Sequence, residues 1–136
     1  MKSFNLLMFI DDNEGTNFYN KFIVEELSMA KKSLFFQKAE NALQYFEKTN
    51  TAEEQALPDV IFLDINMPKI DGWAFIEKYK KMQLPKISPI IMLSTSLSPR
   101  DKAKVNKCPL VYGFWEKPLE EEMLVALQKI WAKNIL

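Results

Sequence analysis

Apolar residues gather along the chain in five short runs, Phe4–Ile10, Ser33–Lys38, Val60–Asp64, Ile90–Ser94 and Leu110–Glu116, separated by helix-length stretches. Runs of that length predict strands. In three of them, Leu6 to Ile10, Val60 to Leu63 and Ile90 to Leu93, hydrophobic residues follow one another without alternation. That is the pattern of parallel strands covered on both faces, so helices must supply the cover. Between the strands, the spacing of Phe18, Phe22 and Leu27 predicts the apolar face of one helix, Ala39, Leu43 and Phe46 that of a second, and Phe75, Tyr79 and Met82 that of a third. Ser98-Pro99-Arg100-Asp101 has the form of a capped helix start with proline at the first helical position, opening a short polar helix that runs through Lys107. After Pro118, Met123, Leu127, Ile130 and Trp131 recur at helical spacing, and Glu120, Glu121 and Glu122 fall in the first turn, where the helix dipole favours negative charge.

Strand and helix thus alternate. The alternation predicts an α/β fold, a doubly wound five-stranded parallel sheet with right-handed crossovers, three α/β/α layers and strand order 2-1-3-4-5. Lys48 to Pro58 reads as a solvated surface loop without identifiable chemistry. The 136 residues suit one domain, 1–136, with no room for an output module.

Composition narrows the chemistry. Basic and acidic residues number 18 each, so net charge gives no footprint for nucleic acid. No apolar run approaches the roughly 20 residues of a membrane span, and the amino terminus lacks the signature of a signal peptide, so the expected location is cytoplasmic. A single Cys108 excludes an internal disulfide. Histidine is absent, which removes His-based acid–base catalysis, Ser-His-Asp triads and histidine metal sites. Any metal must be held by oxygen.

Sheets of this kind bind ligands outside the carboxyl ends of their strands, at the point where strand order reverses, here between the first and third strands. Asp11 and Asp12 end the first strand and Asp64 the third. Three carboxylates in one crevice demand a cation, and oxygen ligands with room for water and phosphate point to Mg²⁺ ahead of calcium. Helix capping by Asp11 and Asp12 would explain the carboxylates at one strand end but not those at two. Lys117, closing the fifth strand before Pro118, can reach the same crevice, although taken alone it could be an ordinary ion-pair partner. Ser94, at the end of the fourth strand, and Thr95 and Ser96 after it supply hydroxyls that alone would be ordinary turn residues.

Together, Asp11-Asp12, Asp64-Ile65-Asn66-Met67-Pro68 with Asp71-Gly72, Ser94 and Lys117-Pro118 resemble the receiver domain of two-component response regulators, and the resemblance spans essentially the whole chain. It implies a flavodoxin-like fold and a stand-alone phosphorylation switch rather than an enzyme. Asp64 would accept a phosphoryl group from a phosphohistidine of a histidine kinase or phosphotransfer protein, and autodephosphorylation would reset it. The same resemblance implies Mg²⁺ on Asp12, Asp64 and the Asn66 carbonyl, with Asp11 helping directly or through water, and Lys117 on a phosphoryl oxygen. Ser94 falls at the switch hydroxyl, usually threonine, and Phe114 at the switch aromatic. Asn66 and Ser96 fall where water access to the acyl phosphate is tuned. The Lys117–Pro118 bond is expected to be cis.

The expected output is a change in binding to a downstream protein through the face formed by Ser98–Lys107, Leu110–Glu116 and Glu120–Lys133, without direct nucleic-acid contact or membrane insertion. A small haloacid-dehalogenase-type phosphatase would also carry an aspartate after a parallel strand, but Asn66 stands where its second carboxylate should be. A pseudo-receiver that binds partners without phosphorylation would typically have lost the acidic pair or the lysine, and neither is lost here.

Overall fold

The computed structural model describes residues 3–48, 53 and 56–133. Ten elements alternate along it: β1 (Phe4–Ile10), α1 (Glu14–Glu26), β2 (Ala30–Phe36), α2 (Ala39–Lys48), β3 (Val60–Leu63), α3 (Gly72–Tyr79), β4 (Ile90–Ser94), α4 (Pro99–Lys107), β5 (Val111–Glu116) and α5 (Glu121–Ala132). The strands form one parallel sheet in the order β2-β1-β3-β4-β5, as the alternation predicted. The continuous apolar strands work because successive side chains alternate faces. Met8, Ile10, Ile61, Leu63, Ile90 and Met92 pack against α2 and α3 on one side. Leu7, Phe9, Val60, Phe62, Ile91 and Leu93 pack against α1 and α5 on the other. Such side chains contribute about 1.5–3 kcal/mol each on full burial, which fixes the layer order.

Two sequence expectations need correction. The second strand begins at Ala30, not Ser33, because Phe4 pairs with Ala30 and Leu6 with Lys32, so backbone pairing extends β2 through the exposed Lys31 and Lys32. On α1 the buried residues are Asn17, Asn20 and Val24, whereas Phe18 and Phe22 are 74% and 58% exposed. Leu27 is the C-cap, half-buried against the α1–α5 side of the core. The expected apolar stripe on α1 therefore faces outward, and two carboxamides take its place beneath. The Lys48–Pro58 loop lies largely outside the described residues.

The remaining helices agree more closely. Ala39, Leu43, Phe46, Phe75, Tyr79 and Leu127 are buried, and Met82, Met123 and Trp131 pack partly buried against the core. Ser98 caps α4 by accepting from the Asp101 N–H, and no residue of α4 is buried. Among the described residues no helix is long and apolar enough to cross a membrane.

At the amino end of the sheet a different carboxylate is buried. Asp59 accepts from the Asn5 N–H at 2.7 Å and from the Lys86 ammonium at 2.6 Å. It ties the loop before β3 to β1, and its charge is matched by donors on both oxygens.

Candidate functional site

Ile10 stands opposite Leu63 where β1 and β3 end, so the next residues, Asp11 and Asp64, leave the sheet side by side. Their backbones stay pinned, since the Asp64 N–H donates to the Ile10 carbonyl and the Asp11 N–H to the Phe36 carbonyl, both at 2.9 Å. Both side chains are buried, while Asp12 is exposed. The three residues offer carboxylate oxygens that all lie within 4.8 Å of one another. The loop after β5 brings in Lys117, whose ammonium lies 2.6 Å from Asp11 Oδ2 and 3.6 Å from Asp64 Oδ2. Lys117 is itself anchored, its N–H donating to the Ser94 carbonyl at 2.8 Å, and the Lys117–Pro118 bond is cis.

Helix capping does not account for the acidic pair. The N-cap of α1 is Asn13, which accepts from the Thr16 N–H at 2.8 Å. Asp11 Oδ1 instead accepts the Asn13 N–H at 2.9 Å, so with Lys117 on Oδ2 both oxygens of Asp11 are engaged. Asp64 is less well served. Burial pushes its carboxyl up from the usual 3.8 to about 6, with the Asp11 charge adding to the rise. Lys117 and the Asn66 N–H pull it down without cancelling that, and Asp12 raises it slightly.

Three carboxylates against one ammonium leave a net of two negative charges, and every ligand atom in the cluster is oxygen. That donor set fits a hard divalent cation. Asn66 is exposed just beyond Asp64, Ser94 is buried at the end of β4 and Ser96 is exposed in the loop that follows. Phe114 is half-buried in β5, opposite Met92 and against the core on the α2–α3 side of the sheet. The structure thus gathers Asp11, Asp12, Asp64 and Lys117, with Ser94 joined through its backbone.

Two supporting residues were not singled out in the sequence, and a third, Gly72, was quoted only within the motif and given no role. Asn17 donates from Nδ2 to the Asp11 carbonyl at 2.9 Å, fixing the β1–α1 turn from beneath. Asn20, 1% exposed, lies with Asp11 and Asp64 at the carboxyl ends of β1 and β3. The stripe 17-20-24 could have shown both, because polar residues at helical spacing with a buried valine mark a face turned toward something polar. At Gly72, a Cβ would lie 2.6 Å from the Asp64 carbonyl oxygen and 2.9 Å from Ile65 Cα, and the Gly72 N–H donates to the Ile65 carbonyl at 2.8 Å. The start of α3 can approach the acidic loop only without a side chain there.

Residues 7–129 match the response regulator receiver domain family. Among curated proteins, a probable transcriptional regulator, ycf29, of Porphyra purpurea is 30% identical over 128 residues, covering 93% of this chain and 56% of that protein. The hybrid signal transduction histidine kinase D of Dictyostelium discoideum is 30% identical over 105 residues, covering 74% of this chain and 6% of the kinase. This chain therefore spans about half of the first relative and a small part of the second. Among solved structures, a two-component response regulator from Cytophaga hutchinsonii superposes with TM-score 0.82 at 29% identity, covering 98% of each chain. The chemotaxis response regulator CheY4 of Vibrio cholerae shares the fold, with TM-score 0.73 at 23% identity, covering 94% of this chain and 99% of that one. Agreement in sequence across nearly the whole sheet, and in fold across all five strands, has one meaning: the chain belongs to the response regulator receiver domain family of two-component signal transduction.

Proposed function

We propose that Asp64 accepts a phosphoryl group from a phosphohistidine on a histidine kinase or histidine phosphotransfer protein, and that the phosphorylated form changes its binding to a downstream protein. The observation that carries this is the contrast between two buried carboxylates. Asp59 is matched by its donors, whereas Asp64 sits with its carboxyl raised to about 6 beside Asp11 and only 3.6 Å from a lysine. A carboxylate under-compensated at rest is poised for a partner that brings charge or bonds.

In the transfer, an Asp64 oxygen bonds to phosphorus as the phosphorus–nitrogen bond of the donor breaks, and the imidazole leaves with that electron pair. Asp64 must be ionised to attack, and a divalent cation on the cluster would favour that form against the burial that raises its carboxyl. Lys117 is within reach to hold a phosphoryl oxygen while remaining paired with Asp11. Asp12, Asp64 and the Asn66 carbonyl, with Asp11, would hold Mg²⁺. When bound it neutralises charge on the transferring group, which a loose in-line transfer needs more than a strong base. Ser94, and through it Phe114, would respond to the phosphoryl group, and the exposed Asn66 and Ser96 would govern water access and hence self-dephosphorylation. The phosphatase alternative gains nothing, since Asn66, two residues beyond Asp64, is a carboxamide.

The test is incubation with acetyl phosphate and Mg²⁺ followed by intact-mass measurement. Wild type is expected to gain one phosphoryl mass and Asp64→Ala none. An unmodified wild type, under conditions where a known receiver reacts, would sink the proposal.

The outward Phe18 and Phe22 give the donor a surface. They lie one turn apart on α1, whose Tyr19 lines a cleft together with Asn13 and Lys117 and donates to the Leu119 carbonyl at 2.9 Å. The helix that carries this apolar face thus also lines, through Asn13 and Tyr19, a cleft that Lys117 bounds, and a donor histidine must come close to that lysine. Replacing both by aspartate is expected to slow transfer from the donor protein about tenfold or more, as for lost aromatic anchors. Labelling by acetyl phosphate should be unchanged, and an equal loss with both donors would refute the assignment.

A further inference from the structure

A second concave feature lies between α3 and α4 and takes no part in the acceptor site. It is a groove of about 390 Å³, floored by Trp73, Ile76 and the half-buried Cys108 and edged by Lys80, Lys104 and Lys107. The one acid along its edge, Glu77, is taken up by Lys80 at 2.9 Å. Lys104 lies over the Trp73 ring, 5.4 Å from its centroid. Among the described residues neither Lys104 nor Lys107 forms an ion pair. The single acid of α4, Asp101, is already occupied, accepting from Trp73 Nε1 and from the Ser98 hydroxyl, each at 2.9 Å.

The chain as a whole is neutral, so positive charge concentrated on this edge is a local feature. An apolar ligand would leave Lys104 and Lys107 without a contacting counter-charge, and a purely polar anion would leave the tryptophan floor wet. Only an occupant with both properties satisfies floor and edge together. The volume is near the lower end of the roughly 300–1,000 Å³ typical of ligand sites, which admits a side chain or two but no helix.

We propose that this groove docks an acidic segment of a partner protein, which inserts one apolar side chain between Trp73 and Cys108 while its carboxylates meet Lys104 and Lys107. The Trp73 indole, fixed by Asp101, serves as a rigid aromatic anchor.

The probe is a short amidated peptide of glutamates flanking one phenylalanine, titrated into the unphosphorylated protein and followed by NMR. The Trp73 indole and Cys108 amide signals are expected to shift and saturate with Kd of about 0.1–1 mM. Bound peptide should also slow alkylation of the Cys108 thiol. Substituting serine for the phenylalanine, or glutamine for the glutamates, should abolish the shifts. Lys104→Glu with Lys107→Glu should weaken binding about tenfold or more. Lys104→Gln with Lys107→Gln, which adds no new repulsion to α4, should weaken it by a smaller factor and guards against misfolding. Three results would each overturn the proposal: no saturation by about 5 mM, equal binding by the serine peptide, or concentration-dependent shifts of these signals without peptide, which would make a second copy the occupant. Because Asp64 stays unphosphorylated, failure here leaves the phosphoacceptor proposal intact.

Discussion

Asp64→Asn is expected to stabilise the metal-free protein by about 2–3 kcal/mol near pH 7.5 while removing its capacity to be phosphorylated. The carboxyl of Asp64 is raised from 3.8 to about 6 in the folded state, chiefly by burial and then by the Asp11 charge. A raised carboxyl means that the folded protein favours the protonated form. The corresponding stability is fully present below pH 3.8 and is lost as pH rises through about 6. At neutral pH the wild type carries the whole cost of an ionised Asp64, and asparagine removes it. Urea denaturation of both proteins with a chelator present, from about pH 4 to pH 8, should show a stability gap that opens with pH and closes in acid. A gap of constant size would mean that packing, not charge, is responsible. Millimolar Mg²⁺ should stabilise the wild type more than the variant, because the variant has lost a carboxylate from the cluster.

Lys117→Met is expected to act in the opposite direction. Its ammonium is the partner of Asp11 at 2.6 Å and the cation nearest Asp64 at 3.6 Å, and it is what lowers the Asp64 carboxyl most. Without it two buried carboxylates face each other, the Asp64 carboxyl rises further, and breaking the pair should cost about 3 kcal/mol near pH 7.5. The cost should shrink as pH falls and Asp64 takes up a proton. Labelling by acetyl phosphate should fall about 100-fold or more, since a fixed positive charge is lost where the phosphoryl oxygens gather. A double-mutant cycle separates the effects. In the Asp64→Asn background the stability cost of losing Lys117 should be clearly smaller, because only Asp11 then lacks its partner. Equal costs in the two backgrounds would show that Lys117 acts through Asp11 alone.

How much of this was legible beforehand differs from residue to residue. Phe4–Ile10 and Ile90–Ser94 were readable to the residue, because a strand buried on both faces is apolar along nearly all its length, with Asn5 and Ser94 falling only near the strand ends. β2 was misread by three residues at its start because an edge strand can carry Lys31 and Lys32 in the open, where only hydrogen bonding to β1 marks it as a strand. On α1 the prediction followed Phe18 and Phe22, whereas burial went to Asn17 and Asn20. Hydrophobicity ranks a carboxamide as a surface group, and the bond that Asn17 donates to the Asp11 carbonyl, which offsets part of the cost of burying it, exists only in the folded chain.

The amino-acid sequence alone determined the parallel sheet and the placing of Asp11, Asp12, Asp64 and Lys117 at strand ends, since these follow from local periodicity, and the usual order of doubly wound sheets then brings them together. Tertiary structure decided what no local pattern encodes. Lys117 pairs closely with Asp11 and leaves Asp64 raised, Gly72 must lack a side chain because α3 meets the Asp64 backbone, and Trp73 and Lys104 from different helices form one groove. Each of these depends on distances between atoms far apart in the chain, and electrostatic and steric energies vary steeply over a few ångströms.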